Sequence, residues 1–280
     1  MKITASVYVD QQVRFQYPIE YVTRNLDFCD AIYLFGSDRE SCEWLREMAA
    51  RHPLGKKMVA VEIGVKVVAP VDIASAQNAC MEWMRRNENF DYHLLIQADT
   101  TITVLGVRSI RRFIGSGDPD RPVVMQKINH IRLHTDAGRT HFGVALIGRD
   151  SKDSKFVGDG AYTENYWVSS AVDHIWHAID IGYLSVDGFA RKMDVRGSIW
   201  KDLLQAGLFW EYKENRSEFL KIALRDLVFR ERCGVPSKMI SEADEDYMEA
   251  VKHFGLEEER RLVSVALKEV ISEGPETCVK

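Results

Sequence analysis

The hydrophobic and polar positions of the chain alternate between two periods, and the first hundred residues read as strand, helix, strand, helix. Ile3 to Val9 (Ile-Thr-Ala-Ser-Val-Tyr-Val) is β-rich and predicts a first strand. Tyr17 to Leu26 carries helical spacing. Asp30 to Phe35 predicts a second strand, which stops at Gly36-Ser37-Asp38. Ser37 or Asp38 can cap the helix that follows through Met48. Met58 to Val61 and Val65 to Val68 are further short β-rich runs. Ala74 to Arg86 predicts a helix with Ala76, Ala79, Cys80 and Trp83 on its apolar positions. Strands and helices joined by short connections make a mostly parallel mixed sheet flanked by helices, an α/β fold.

The chain is organised around Asp91 to Thr100. Its apolar run, Leu94 to Ile96, ends abruptly in Gln97-Ala98-Asp99-Thr100. This is the pattern of a buried strand that delivers a carboxylate to its C-terminal edge, where open α/β sheets bind ligands. A carboxylate there suits a hard divalent cation, and that cation suits the phosphates of a nucleotide. The competing reading makes Asp99 the N-cap of the next helix.

Beyond Asp99 the pattern changes. Val107 to Ile114 reads as a helix, and 115–122, rich in glycine and proline, as a loop. Val123 to Gln126 and Val144 to Arg149 read as strands. His130, His134 and His141 lie between or beside them without helical metal-site spacing, and read as acceptor-side or surface residues. Phe156 to Ala161 encloses an aspartate between glycines, and His174 to His177 forms a short apolar strand. From about Ser198 the chain is charged and helical, with Leu203-Leu204, Phe219-Leu220, Ala223-Leu224 and Leu227-Val228 recurring at helical spacing. Two parts follow: an α/β domain over 1–197 and a helical appendage over 198–280.

Composition narrows the class. Of 280 residues, 46% are hydrophobic and 28% charged, as in ordinary globular chains, and the formal net charge of -5 gives no overall attraction to nucleic acid or anionic membrane. Cys29, Cys42, Cys80, Cys233 and Cys278 form no CxxC pair and read as reduced thiols. Neither a signal peptide nor a membrane-length apolar run is legible, so the expectation is a cytoplasmic protein.

Several segments, in order, resemble those of glycosyltransferases of the GT-A fold, in particular the family-2-like enzymes, over roughly residues 1 to 195. Phe28 to Leu34 resembles the family's "cDEIvvv" strand. Ser75 to Ala79 and the helix into Tyr92 to Asp99 resemble its "arN.a" helix and "lDaDe" strand end. Phe156 to Gly160 resembles the acidic turn before the acceptor site, and Ile175-Trp176-His177 with Tyr183, Ser185 and Lys192 resembles "vyHyg....s...K". The family's DxD is here Gln97-Ala98-Asp99: the first acid is replaced and the last kept. The arginine before Asn78 is Gln77, and the loop at Gly36 to Ser41 is short.

The resemblance implies an enzyme moving a sugar from a nucleotide-diphosphate-sugar donor to an acceptor hydroxyl, with inversion and a divalent ion (Mn²⁺ or Mg²⁺). By that likeness Asp99 and His177 are metal ligands, with His174 the fallback. Val9, Asp38, Asn78, Gln97, Ala98 and Lys192 are donor contacts. Asp159 is the general base, with Glu164 the alternative. Each residue also has a plain structural role open to it. Asp38 and Asn78 suit helix caps, Asp159 a turn, His177 a core histidine and Lys192 a solvated surface. Two other functions stay open at this level. One is transfer to a modified base in nucleic acid, with Arg108, Arg111, Arg112 and Arg121 as a basic rim. The other is a non-catalytic sugar-nucleotide or glycan-binding module, since the acid at Gln97 is missing.

Overall fold

The computed structural model describes residues 1–9, 19–66, 72–116, 125–129, 139–149, 156–157, 161–162, 175–180, 220–221, 224 and 244–272. The chain divides into two compact units, Met1–Ile128 with Thr140–Ile179, and Asn129–Arg139 with Asp180–Lys280.

The first unit is built on a sheet whose first four strands are β1 (Ile3–Val9), β2 (Ala31–Gly36), β3 (Met58–Glu62) and β4 (Tyr92–Ile96). They lie side by side in the order β3-β2-β1-β4, and all run parallel. The sheet continues through β7 (Arg139–Gly148), antiparallel to β4, then β6 (Met125–Asn129), β10 (Ile175–Asp180) and β5 (Thr100–Ile102), eight strands in all. A separate two-stranded ladder pairs β8 (Phe156–Val157) with β9 (Ala161–Tyr162). The expected α/β class, with a mostly parallel mixed sheet flanked by helices, is what the chain forms.

Between the strands run α1 (Ile19–Val22), α2 (Arg39–Arg51), α3 (Asp72–Asn87) and α4 (Val104–Ser116). The path β2–α2–β3 moves outward along the sheet and β3–α3–β4 moves back across it. Right-handed crossovers therefore put α2 and α3 on opposite faces. Period-two alternation sorts the strand residues accordingly. Ala5, Val7, Val9, Ile32, Leu34, Leu94 and Ile96 are buried on one face. On the other, Tyr33, Phe35, Leu95 and Ile147 pack against Ala74, Cys80, Met81 and Met84 of α3, with Phe156 in the same cluster. Trp83 closes it, with ring centroids 5.5 Å from Tyr33 and 5.6 Å from Phe35.

Of the two β-rich runs expected after residue 57, the first is β3. Val65 and Lys66 lie in no strand, and Val67 and Val68 fall outside the described residues. The chain leaves β3 through Gly64 at φ 67°, a left-handed position that suits glycine. The Tyr8 hydroxyl then holds the carbonyl of Val65 at 2.7 Å.

In the second unit, α5 (Asp244–His253) and α6 (Glu257–Ser272) are helices within the region expected to be helical, of which 198–219, 222–223 and 225–243 lie outside the described residues. Gly255, at φ 63°, ends α5: its N–H donates to Lys252, and that of Leu256 donates to Val251. This is the paired closure of helix carbonyls that a left-handed glycine permits. Tyr247, Ala250, Val251, Ala266 and Val270 are buried, as are Leu220 and Leu224, one helical turn apart. Among the described residues, no helix is long and apolar enough to cross a membrane.

Candidate functional site

In the order β3-β2-β1-β4 the chain passes from β1 to β2 on one side, and β4 joins β1 on the other. Such a reversal opens a crevice at the carboxyl ends of the strands, the place where open α/β sheets take ligands. Three segments end there. Val9 closes β1 and is buried. Gly36-Ser37-Asp38 follows β2, with Gly36 paired to Val9. Gln97-Ala98-Asp99 follows β4, whose Ile96 pairs with Val7, so by register Gln97 and Ala98 come level with Tyr8 and Val9 at the end of β1, and Asp99 lies one residue beyond. The sequence-derived residues Val9, Asp38, Gln97, Ala98 and Asp99 thus share one sheet edge.

Asp99 sits half-buried in the turn between β4 and β5. Thr100 shapes that turn: its N–H donates to the Gln97 carbonyl at 3.0 Å, and its hydroxyl donates to Asp99 Oδ1 at 3.1 Å. The reading of Asp99 as a helix cap falls away, because α4 is capped by Thr103, whose Oγ1 accepts from the N–H of Gly106 at 2.9 Å.

Asp38 does have the cap role. It is the N-cap of α2, and its Oδ1 accepts from the N–H of Ser41 at 2.9 Å. Its Oδ2 faces Ser37 Oγ at 3.4 Å and Lys66 Nζ at 3.8 Å. The Ser41 N–H first, and then Lys66 among the other contacts, hold its carboxyl below the ordinary aspartate range. Gly36 lets this junction close: a Cβ there would lie 2.7 Å from Cys42 Sγ.

Asn78 is engaged with the backbone of Phe156. Its Nδ2 donates to the carbonyl of Phe156 at 2.9 Å, and its Oδ1 accepts from the N–H of the same residue at 2.7 Å. Beside it Gln77 is buried, and its Oε1 has no hydrogen-bond partner.

The rest of the expected site is less fully described. His177 belongs to β10, but its side chain is not among the described ones; Asp159, Glu164, His174 and Lys192 lie outside the described residues. Asp159 falls within 158–160, between the paired residues Val157 and Ala161. As a test of fit for a divalent ion, Asp99 offers one carboxylate and Gln97 a neutral amide oxygen. Among the described residues no three histidine, cysteine or acidic side chains converge. Among the described residues, Cys29, Cys42 and Cys80 are buried free thiols, and burial pushes Cys29 up to about 12, away from the thiolate that binds metal.

The expected arginine rim is corrected in one member. Arg108, Arg111 and Arg112 are exposed on α4, but Arg111 reaches Asp27 at 3.9 Å and lies 5.5 Å from the ring centroid of Phe28. Both partners precede β2, at the opposite, amino-terminal edge of the sheet. Arg121 lies outside the described residues.

One buried polar group had no role assigned from sequence. His93, fully buried on β4, lies opposite Thr4 of β1. Its Nδ1 is 2.7 Å from Thr4 Oγ1 and its Nε2 is 2.8 Å from Ser6 Oγ. A neutral imidazole has one N–H and one lone pair, so one hydroxyl donates to the ring and the other accepts from it. Burial, aided by the nearby charge of Arg85, lowers the His93 pKa to about 3. The signal was present as polar positions 4 and 6 of an otherwise apolar strand.

None of the protein-family models matches the chain, and no curated protein matches its sequence. Solved structures do align with it. The mannosyltransferase PcManGT from Pyrobaculum calidifontis, in complex with GDP-Man and Mn2+, is 13% identical over 100% of this chain and 88% of its own, with a TM-score of 0.41. TarS 1-349 of S. aureus is 10% identical over 98% and 92%, with a TM-score of 0.35. The apo glycosyltransferase GlyE of Streptococcus pneumoniae TIGR4 is 17% identical over 54% of this chain, with a TM-score of 0.30; this chain spans only 34% of that one. Likenesses at these levels assign no role to any residue here.

Proposed function

We propose that the chain is a glycosyltransferase that moves a sugar from a nucleotide-diphosphate donor to an acceptor hydroxyl, with a divalent ion and inversion at the sugar carbon. The observation that carries this reading is Asp99: a half-buried carboxylate at the switch point of a parallel sheet, released from helix capping by Thr103. The order of family-like segments along the sequence supports it. Asp99 would hold the ion, with His177 as the second ligand. When bound, the ion supplies Lewis-acid stabilisation to the departing diphosphate. Val9, Gln97 and Ala98 line the floor beneath the donor, and Asp38 with Lys66 stands at its β2 side. Asp159, or else Glu164, takes the acceptor proton. Residues 198–280 are the helical appendage to this domain.

Thermal unfolding with a panel of nucleoside diphosphates, each with and without Mn²⁺, tests the reading. A ligand that binds only the folded state raises its stability, by about 2.7 kcal/mol at a hundred times its dissociation constant. UDP, GDP or a related diphosphate should raise the melting temperature, and more so with the ion. If no diphosphate shifts it in the presence of Mn²⁺, the sugar-nucleotide reading fails.

A further inference from the structure

We infer that Asn78 is a positioning residue, which ties α3 to β8 and so sets the place of the segment leading to the acceptor-side acid, and that it makes no contact with the donor. The inference rests on the proposed glycosyltransferase function in its catalytic consequence, but not in its geometry.

A strand residue turns its N–H and C=O to the same side, toward a neighbouring strand. At Phe156 that side is met by the carboxamide of Asn78, which accepts from the N–H at 2.7 Å and donates to the carbonyl at 2.9 Å. The side chain thus stands where a further strand would, and seals the outer edge of a two-residue strand. That strand is too short to hold its own position: its ladder with β9 has only two residue pairs, Phe156 with Tyr162 and Val157 with Ala161. Two anchors fix it to the first unit. One is the Phe156 ring, 4% exposed within the α3 cluster, and the other is the Asn78 amide. The ring resists translation, while the paired hydrogen bonds fix which way the backbone faces. Asn78 lies in the second turn of α3, whose amino end is at the carboxyl edge of the sheet, as the β3–α3–β4 crossover requires. One helix therefore borders the donor crevice and orients the backbone two residues before Gly158.

Two variants test this. Asn78→Ala removes both hydrogen bonds. Asn78→Asp keeps the acceptor for the Phe156 N–H, but sets a carboxylate against its carbonyl; protonation of that carboxyl restores the missing donor. Amide exchange of the peptide spanning 156–162 should quicken at least tenfold in Asn78→Ala. In Asn78→Asp it should quicken near neutral pH and return toward the wild-type rate, corrected for intrinsic exchange, as pH falls through a carboxyl range. A helix disturbed for any other reason would not recover this way, so the pH profile separates positioning from misfolding. Affinity for a nucleoside diphosphate with Mn²⁺ should stay within about threefold of wild type, while kcat for transfer falls at least tenfold. Loss of diphosphate affinity in both variants, or exchange unchanged in both, overturns the assignment. Should the wild-type chain itself bind no diphosphate, the glycosyltransferase reading fails, and the exchange experiment alone still decides whether Asn78 orients β8.

Discussion

Strand β4 carries two polar groups six residues apart with opposite surroundings. His93, the second residue of the strand, is fully buried on the α3 side with both ring nitrogens matched to hydroxyls of β1. Asp99, just past its end, is half-buried, with Thr100 donating to one carboxylate oxygen and the sheet edge beside it. A buried polar group must be satisfied from within, because leaving it unmatched costs about 1–3 kcal/mol. A group at the carboxyl edge of a parallel sheet lies where such sheets take their ligands. The same strand thus holds one polar site that secures the pairing of β1 with β4 and another suited to chemistry. Their variants should separate cleanly, the first in stability and the second in binding and rate.

The largest effects belong to the acids assigned to the ion and to the acceptor proton. Asp99→Asn keeps the shape and removes the charge, so ion-dependent donor affinity and turnover should fall together. Asp159→Asn should leave donor affinity intact and lower transfer by about 10²–10⁴-fold, the usual worth of a general base. Binding and rate measured on the same preparations check this. Normal transfer in Asp159→Asn, with transfer abolished in Glu164→Gln, would move the base to Glu164. Normal transfer in both would remove either acid from the role.

The next effect belongs to His93 and appears with pH. An unfolded chain takes up a proton at this histidine near pH 6.5, whereas the folded chain holds it neutral down to about 3. Between those values the unfolded state binds the extra proton. The contribution of His93 is therefore fully present above 6.5 and is lost as pH falls, at up to about 1.4 kcal/mol per unit. Denaturant titrations across pH 4 to 8 should show this slope. The variant His93→Leu should lack that part of it and lose about 1–3 kcal/mol at pH 8, where Thr4 and Ser6 lose their partner. Diphosphate binding in the folded variant should be unchanged. A slope identical in variant and wild type would show that His93 titrates normally and that the sealed pocket is open to water.

What the sequence disclosed follows the same division. Strands β1 to β4 and helices α2 and α3 were legible because their periodicity is local, and so was the placing of an acid at the end of β4. Strand order was not: that β1 lies between β2 and β4 depends on crossover geometry, which no window of residues carries. The roles of single polar residues were legible only when their partners were near. Asp38 as a cap follows from its own helix, three residues on. Asn78 meets a backbone 78 positions away, and His93 pairs with hydroxyls 89 and 87 positions away, so neither partner could be read from the neighbouring sequence. The C-terminal turn at Gly255 was legible as well, since a glycine between two helical runs is a common stop. The strand β5 was hidden by its length of three residues.

The smallest effect concerns Asp38, which belongs to both sides of the comparison. It caps α2 through one oxygen and offers the other to Ser37 and Lys66 at the sheet edge. Asp38→Ala removes cap and charge at once, and should cost about 1 kcal/mol of stability from the cap alone. Serine ranks with aspartate as a cap, so Asp38→Ser keeps the bond to the Ser41 N–H while removing the carboxylate. If Asp38 serves the helix alone, Asp38→Ser should match wild type in both melting temperature and diphosphate affinity. If it also meets the donor, Asp38→Ser should keep the melting temperature of the unliganded protein and weaken the diphosphate-induced rise. Lys66→Ala distinguishes the source of any such change. A carboxylate that contacts a ribose hydroxyl directly keeps its effect without Lys66, whereas one that acts by steering Lys66 toward phosphate loses it. An unchanged melting temperature in Asp38→Ser, with ligand response intact, would return Asp38 to the helix and leave Asp99 the acid that marks the crevice.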